Sequence, residues 1–280
     1  MHVFLWPLMA LSATGLVLSF SLHLAAWTGH MPGLLQPLAR EHAQLLIGGM
    51  FAAWVPAVLI DQRISTRKPA AYLTREAWLQ GVPFYVDERA IVPRSFIAEL
   101  LADGSIDPWL DEASRDVLDL CTGNGSLAVL AAMAYPEVQV TGADISPDAL
   151  AVARINVDRH GLQDRVRLVE SDGLAACPGP WDLILCNPPY VNAASMAALP
   201  AEYRAEPVLA LAGGDDGMDL VRRILEAAPN FLSPEGVLVL EIGNEYDNFV
   251  AAFPELEPIW LSTETAEDQI LLLSREQLAL

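Results

Sequence analysis

The run DVLDLCTGNGSLAVLAAMA, residues 116–134, decides how this chain folds. Asp116–Cys121 is a short apolar stretch of the length and composition of a buried strand. Thr122-Gly-Asn-Gly125 interrupts it, and Ser126–Ala134 then reads as a helix. Gly123 and Gly125 allow a tight turn and a close backbone approach, since neither carries a Cβ. The helix that follows presents unpaired N–H groups at its start. Strand, glycine turn and helix in that order open an α/β layer. Glycine turns after strands are common, so this unit reads equally well as a plain connection and as a ligand cradle.

Working outward, the same alternation continues. Strands are expected at Val138–Asp144, Val166–Glu170, Trp181–Cys186 and Gly236–Ile242. Helices are expected at Pro147–His160, with Pro in its first turn, at Asp216–Leu232 and at Glu245–Phe253. Ile259–Ser262 and Gln269–Ser274 close the sheet. The pattern predicts a Rossmann-like, seven-stranded, mostly parallel sheet with helices on both faces. Upstream, Ala77–Val92 reads as a β-hairpin around Gly81-Val82-Pro83. Phe96–Ala102 reads as a short helix, and Asp103–Arg115 as a polar linker. Three segments result: 1–60, 61–102 and 103–280.

Open parallel sheets bind ligands at the carboxyl ends of their strands, and polar residues gather there. Asp144 ends the second strand 19 residues beyond Gly125. It is placed either to accept hydrogen bonds from ribose hydroxyls or to cap a helix. Asp172 ends the third strand, where it could read an amino group or simply make a turn. Asn187-Pro-Pro-Tyr190 follows the fourth strand. Two prolines directly after an apolar strand lock a rigid turn, and a bare turn needs neither the leading Asn nor the trailing Tyr.

Asp119–Gly125, Asp144, Asp172 and Asn187–Tyr190, in this order, resemble the class I methyltransferases that act on planar amide or amine nitrogens. More narrowly, the chain resembles the protein-(glutamine-N5) methyltransferases. Phe84–Leu100, Glu202–Pro207 and Gly213–Gly217 support that likeness. Within it, Val92–Leu100 (VPRSFIAEL) and Cys121 favour the branch acting on ribosomal large-subunit protein three over the release-factor branch. The resemblance spans about residues 63 to 278. It implies S-adenosyl-L-methionine as cofactor, contacted by Asp119, Cys121, Thr122, Gly123, Gly125, Asp144, Ile145, Asp172 and Asn187. It also implies a catalytic turn of Asn187, Pro188, Pro189 and Tyr190, with Asn187, Pro188 and Tyr190 on the substrate. Phe84, Arg94 and Glu99 match positions near the cleft, although Arg94 and Glu99 would serve equally as a surface ion pair. An amide nitrogen is a poor nucleophile, so the chemistry asks for acceptors that orient it. The Asn187 side-chain oxygen and the Pro188 carbonyl suit that task.

Sixteen Lys and Arg stand against 36 Asp and Glu, a formal charge of −20. Such a surface repels phosphate backbones and attracts basic proteins. A basic protein substrate is therefore expected, with no direct nucleic-acid contact. An adenine-N6 nucleic-acid methyltransferase, the release-factor branch and a non-catalytic membrane-anchored binding module stand as the alternatives. Cys121, Cys177 and Cys186 have no metal-ligand spacing and read as reduced, mostly buried thiols of a cytoplasmic protein. Residues 1–60 depart from the family, whose members begin with a soluble helical domain. No charge precedes Arg40; residues 3–28 are long enough to span a bilayer, and 43–60 are borderline. A membrane hairpin, held on the cytoplasmic side by Arg63, Arg67, Lys68 and Arg75, is one expectation. An apolar helical pair packed on something, or a segment not native to this domain, is the other.

Overall fold

The computed structural model describes residues 55–279. Two compact units divide the chain, Met1–Ser65 and Thr66–Leu280. Of the first, residues 55–65 are described and are helical. The apolar stretch expected to form a membrane hairpin lies almost wholly outside the described residues. Among those that are described, no helix is long and apolar enough to cross a membrane.

The second unit begins with helix α1 (Ala70–Thr74) and the hairpin β1 (Ala77–Leu79) and β2 (Val82–Phe84), followed by α2 (Ile97–Asp103). The layered part comprises β3 (Asp116–Leu120), α3 (Ser126–Ala134), β4 (Gln139–Asp144), α4 (Pro147–Arg159), β5 (Val166–Glu170) and β6 (Trp181–Cys186). It continues with α5 (Ala193–Ala198), α6 (Asp219–Ala227), β7 (Leu232–Glu241), α7 (Tyr246–Ala252), β8 (Ile259–Leu261), β9 (Ile270–Ser274) and α8 (Arg275–Leu278).

Seven strands form one sheet in the order β5-β4-β3-β6-β7-β9-β8. The first five are parallel, and β9 runs antiparallel to both its neighbours. Chain order reverses between β3 and β6, which opens a crevice at their carboxyl ends. Alternation along the central strands divides the core in two. Val117, Leu183, Leu185, Val237 and Val239 pack on one face against α2 and α3. Leu118, Leu120, Ile184, Leu238 and Leu240 pack on the other with Val221, Ile224 and Leu225 of α6. Strands buried on both faces must read as unbroken apolar runs, which is why these are legible. Helix α3 is buried all round through its first two turns. Ser146 caps α4, its hydroxyl accepting from Ala149 N at 3.2 Å, and Pro147 sits in the first turn.

Four expectations need correction. The hairpin ends at Phe84, because its turn falls at Gln80-Gly81, both at positive φ. The linker 103–115 is not wholly polar: Ile106 is fully buried and Asp107–Trp109 forms a 3₁₀ turn. The helix expected over 216–232 is α6 alone, closed by a 3₁₀ turn through Pro229. Strand β7 starts at Leu232 rather than Gly236. A register shift opposite Trp181–Leu183 absorbs Ser233-Pro-Glu-Gly236.

Candidate functional site

A cleft of about 580 Å³ lies over the carboxyl ends of β3, β4 and β6. Its floor is the turn between β3 and α3, where Cys121, Gly123 and Gly125 all have positive φ. Cys121, Thr122 and Gly123 line the cleft. Gly125 faces away, and a Cβ there would come within 3.0–3.1 Å of Ala153 in α4. Asp119 does not reach the cleft either. It is fully buried beneath the turn, where one oxygen accepts from the Thr122 hydroxyl and from Ala128 N at 2.9 Å. The other oxygen has no partner among the described residues. Burial with only two donors pushes the Asp119 pKa up to about 7. It clamps the turn from below, a task that the strand pattern did not separate from cofactor contact.

Asp144, at the end of β4, lines the cleft. Each of its oxygens accepts one backbone N–H, from Gly123 and from Ser146, both at 2.9 Å. Each thus keeps a free lone pair for a hydroxyl donor. Burial raises its pKa above the ordinary carboxylate value. Ile145 beside it is 47% exposed and also lines the cleft. Asp172 lies on the rim and is paired with Arg223 at 2.9 Å.

Opposite the glycine turn stands Asn187–Tyr190. Pro188 is buried, and Asn187 and Tyr190 are half-buried. The Asn187 side chain has no hydrogen bond among the described residues and lines the cleft. Glycines pack against this turn from behind. A Cβ at Gly213 would lie 2.8 Å from Pro189 O, and one at Gly217 would lie 2.3 Å from Tyr190 O. A Cβ at Gly243 would lie 2.4 Å from the Tyr190 ring. The Tyr190 hydroxyl donates to Glu241 at 3.3 Å, and burial raises its pKa above the ordinary phenol value.

A strap from Arg89 to Phe96 forms a third wall. Arg94 lies on it, ion-paired to Glu206 at 2.7 Å and stacked 4.7 Å over the Tyr203 ring. Two residues expected near the cleft lie elsewhere. Phe84 is buried in the core against His160, because the hairpin ends there and turns its last side chain inward. Glu99 sits on α2 and accepts from the Thr265 hydroxyl at 2.8 Å.

The sequence reading missed Ser95, Glu241 and Gly243. One signal was available: Glu241 is a lone carboxylate at the end of an apolar strand (VLVLEIG), and burying a charge there needs dedicated donors. No group of His, Cys, Asp and Glu that could hold a metal occurs among the described residues. All three cysteines are free thiols, Cys121 half-buried and the other two buried.

Residues 105–202 match the model of the methyltransferase small domain family. The ribosomal protein uL3 glutamine methyltransferase of Bordetella pertussis is 61% identical over 223 residues, covering 79% of this chain and 74% of that one. Its counterpart in Burkholderia pseudomallei is 53% identical over 236 residues, covering 80% and 76%. Among solved structures, the hMettl16 catalytic domain in complex with an RNA hairpin aligns with a TM-score of 0.54 at 12% identity, over 68% of this chain and 74% of that one. That likeness bears on the fold only. With identity above half over about four-fifths of its length, this chain belongs to the ribosomal protein uL3 glutamine methyltransferase family.

Proposed function

We infer that this chain transfers a methyl group from S-adenosylmethionine to the side-chain amide nitrogen of a glutamine in ribosomal protein uL3. One observation carries the reading. The Asn187 side chain, unpartnered and fixed by two prolines, faces the glycine turn and Asp144 across one cleft. The cleft suits the methyl donor. Gly123 leaves open space, with only an Ile91 methyl at 3.6 Å from where a Cβ would stand. Asp144 retains lone pairs for ribose hydroxyls, and Ile145 offers an apolar face for the purine.

When bound, S-adenosylmethionine supplies an electrophilic methyl group on a positively charged sulfur. The remaining work falls to the chain. Asn187 Oδ1 and the Pro188 carbonyl each accept one N–H of the substrate amide, so that the nitrogen is held toward the methyl group. The Pro188 carbonyl has no other hydrogen bond among the described residues, and the following proline brings no competing donor. As the new N–C bond forms and the C–S bond breaks, positive charge develops on nitrogen and these two oxygens stabilise it. The nitrogen then loses one proton to solvent water, which restores the neutral amide. Positioning and electrostatics carry the rate, and no acid–base residue is required.

The −20 charge supports a basic protein as substrate, and the three free thiols suit a reducing compartment. The test is transfer of radiolabelled methyl to unmodified uL3, to an unmethylated release factor and to DNA. Label on uL3 that falls at least about 100-fold in Asn187→Ala, with cofactor binding kept, is the expected result. Label on the release factor or DNA alone would move the substrate assignment. Equal loss of turnover and cofactor binding in Asn187→Ala would overturn the role given to that residue.

A further inference from the structure

We propose that Glu241 is a positioning residue for methyl transfer, holding the Tyr190 hydroxyl and with it the amide-gripping turn. The inference rests on the amide-methylation reading and assigns a role that the Asn-Pro-Pro-Tyr turn does not itself contain.

Glu241 is the last residue of β7 and is 1% exposed. Its two oxygens serve two different walls of the cleft. Oε2 accepts from the Ser95 hydroxyl at 2.6 Å and from Phe96 N at 2.9 Å, both on the strap. Oε1 accepts from the Tyr190 hydroxyl at 3.3 Å, on the turn. Only a carboxylate meets this demand, because it accepts on both oxygens and donates on neither. A glutamine would offer one acceptor and present N–H groups to the other wall. If its oxygen keeps the strap, the Tyr190 hydroxyl must reverse from donor to acceptor. The ring has little room to follow, since Gly243 lies against its edge. Tyr190 therefore has one stable pose, set by Glu241, and the preceding Pro188-Pro189 transmits that pose rigidly to Asn187.

The carboxylate's surroundings give it a pH dependence. Burial pushes the Glu241 pKa up to about 7, against the pull of Ser95, Phe96, Ile97 and Tyr190. The other titratable or charged groups acting on this cluster are Arg94 and Tyr203, beside Tyr190, and Cys121, Cys186 and Asp119 at the ends of β3 and β6. Below pH 7 the carboxyl carries a proton and can itself donate, which competes with the Tyr190 contact. Turnover should therefore rise with pH through about 7. Asp119 also titrates near 7, so the two must be separated by mutation.

The experiment measures kcat and KM for methyl transfer to uL3 from pH 5.5 to 9, with cofactor affinity by calorimetry. The proteins are wild type, Glu241→Gln, Tyr190→Phe and the double variant. Glu241→Gln is expected to lower kcat about 10- to 100-fold, the range for a lost hydrogen bond to a charged group, with KM and cofactor affinity nearly unchanged. Tyr190→Phe should reproduce most of that loss, and the double variant should fall no further than the worse single one. The limb near pH 7 should vanish in Glu241→Gln. Losses that multiply in the double variant, a limb that survives Glu241→Gln, or an unaltered kcat would each overturn the role of Glu241 alone. Wild-type protein that labels no protein substrate would overturn the amide reading and this inference together.

Discussion

Substitution of Gly213 by alanine tests whether the turn proposed to orient the amide depends on the backbone packed behind it. Gly213 sits beside that turn, its N–H donating to Val191 O at 2.9 Å. Its φ lies outside the left-handed region, so alanine brings no backbone strain of its own. The methyl group would instead stand 2.6 Å from Gly217 O and 2.8 Å from both Pro189 O and Tyr190 C. All three are backbone atoms, so no side chain can swing aside. Normal contacts need about 3.5 Å, so the turn must retreat by roughly 0.5–1 Å. Overpacking of that kind costs about 1–3 kcal/mol, or roughly 2–10 °C in Tm for a chain of this size. A displacement near 1 Å at a reacting group costs about 100-fold in rate. The expected outcome is thus a kcat lowered about 100-fold with cofactor affinity kept. Gly161→Ala is the control. It has positive φ and open space around it, distant from the cleft, so it should lower Tm by a similar amount and leave kcat intact. Wild-type turnover in Gly213→Ala, or parallel loss of turnover in Gly161→Ala, would refute the reasoning.

Stability should fall as pH rises from about 5 to 8. Asp119 and Glu241 both have folded pKa values raised to about 7, so between their unfolded values and 7 the native state binds more protons than the unfolded one. The loss is on the order of a few kcal/mol and is complete by about pH 8. Asp87 and Asp216, held down to about 2 by Arg89 and Arg222, work in the opposite sense but only below about pH 4. Calorimetric Tm at pH 5.5 and 8.5 checks this, and a higher Tm at 8.5 would contradict it. Arg94→Ala should raise KM for the protein substrate several-fold and cost about 1–2 kcal/mol, because it leaves the buried Glu206 carboxylate with Val92 N as its remaining donor. The figure is modest because Arg94 is 40% exposed. An unchanged KM would detach the Arg94–Glu206 pair from substrate binding.

The central sheet was legible because its strands are buried on both sides. Trp181–Cys186 and the helix Ser126–Ala134 have the bounds that the apolar runs indicated, and the edge strand Val166–Glu170, only partly buried, has its expected bounds as well. Strand β7 was read four residues short, since Pro234 and Gly236 interrupt the apolar run and a register shift is not written in periodicity. Asn187–Tyr190 announced itself through its two prolines. Glu241 and Ser95 did not, because their meaning lies in a contact 146 residues apart in the chain. Asp119 and Asp144 look alike in sequence, two carboxylates on apolar strands. Only packing reveals that one points beneath the turn and the other into the cleft.

That long Ser95–Glu241 separation also bears on how the protein is made. A growing chain is elongated at about 5–20 residues per second. Ser95 therefore emerges on the order of 10 s before the carboxylate that seats it. Residues Asp116–Glu170 can pair and close the glycine turn during that interval, since their contacts are local. The Asn187–Tyr190 turn lacks its contacts with Glu241 and Gly243 until β7 is added to the sheet. On the proposed assignment, the nascent protein acquires the methyl-donor side of the cleft first and the amide-orienting turn last.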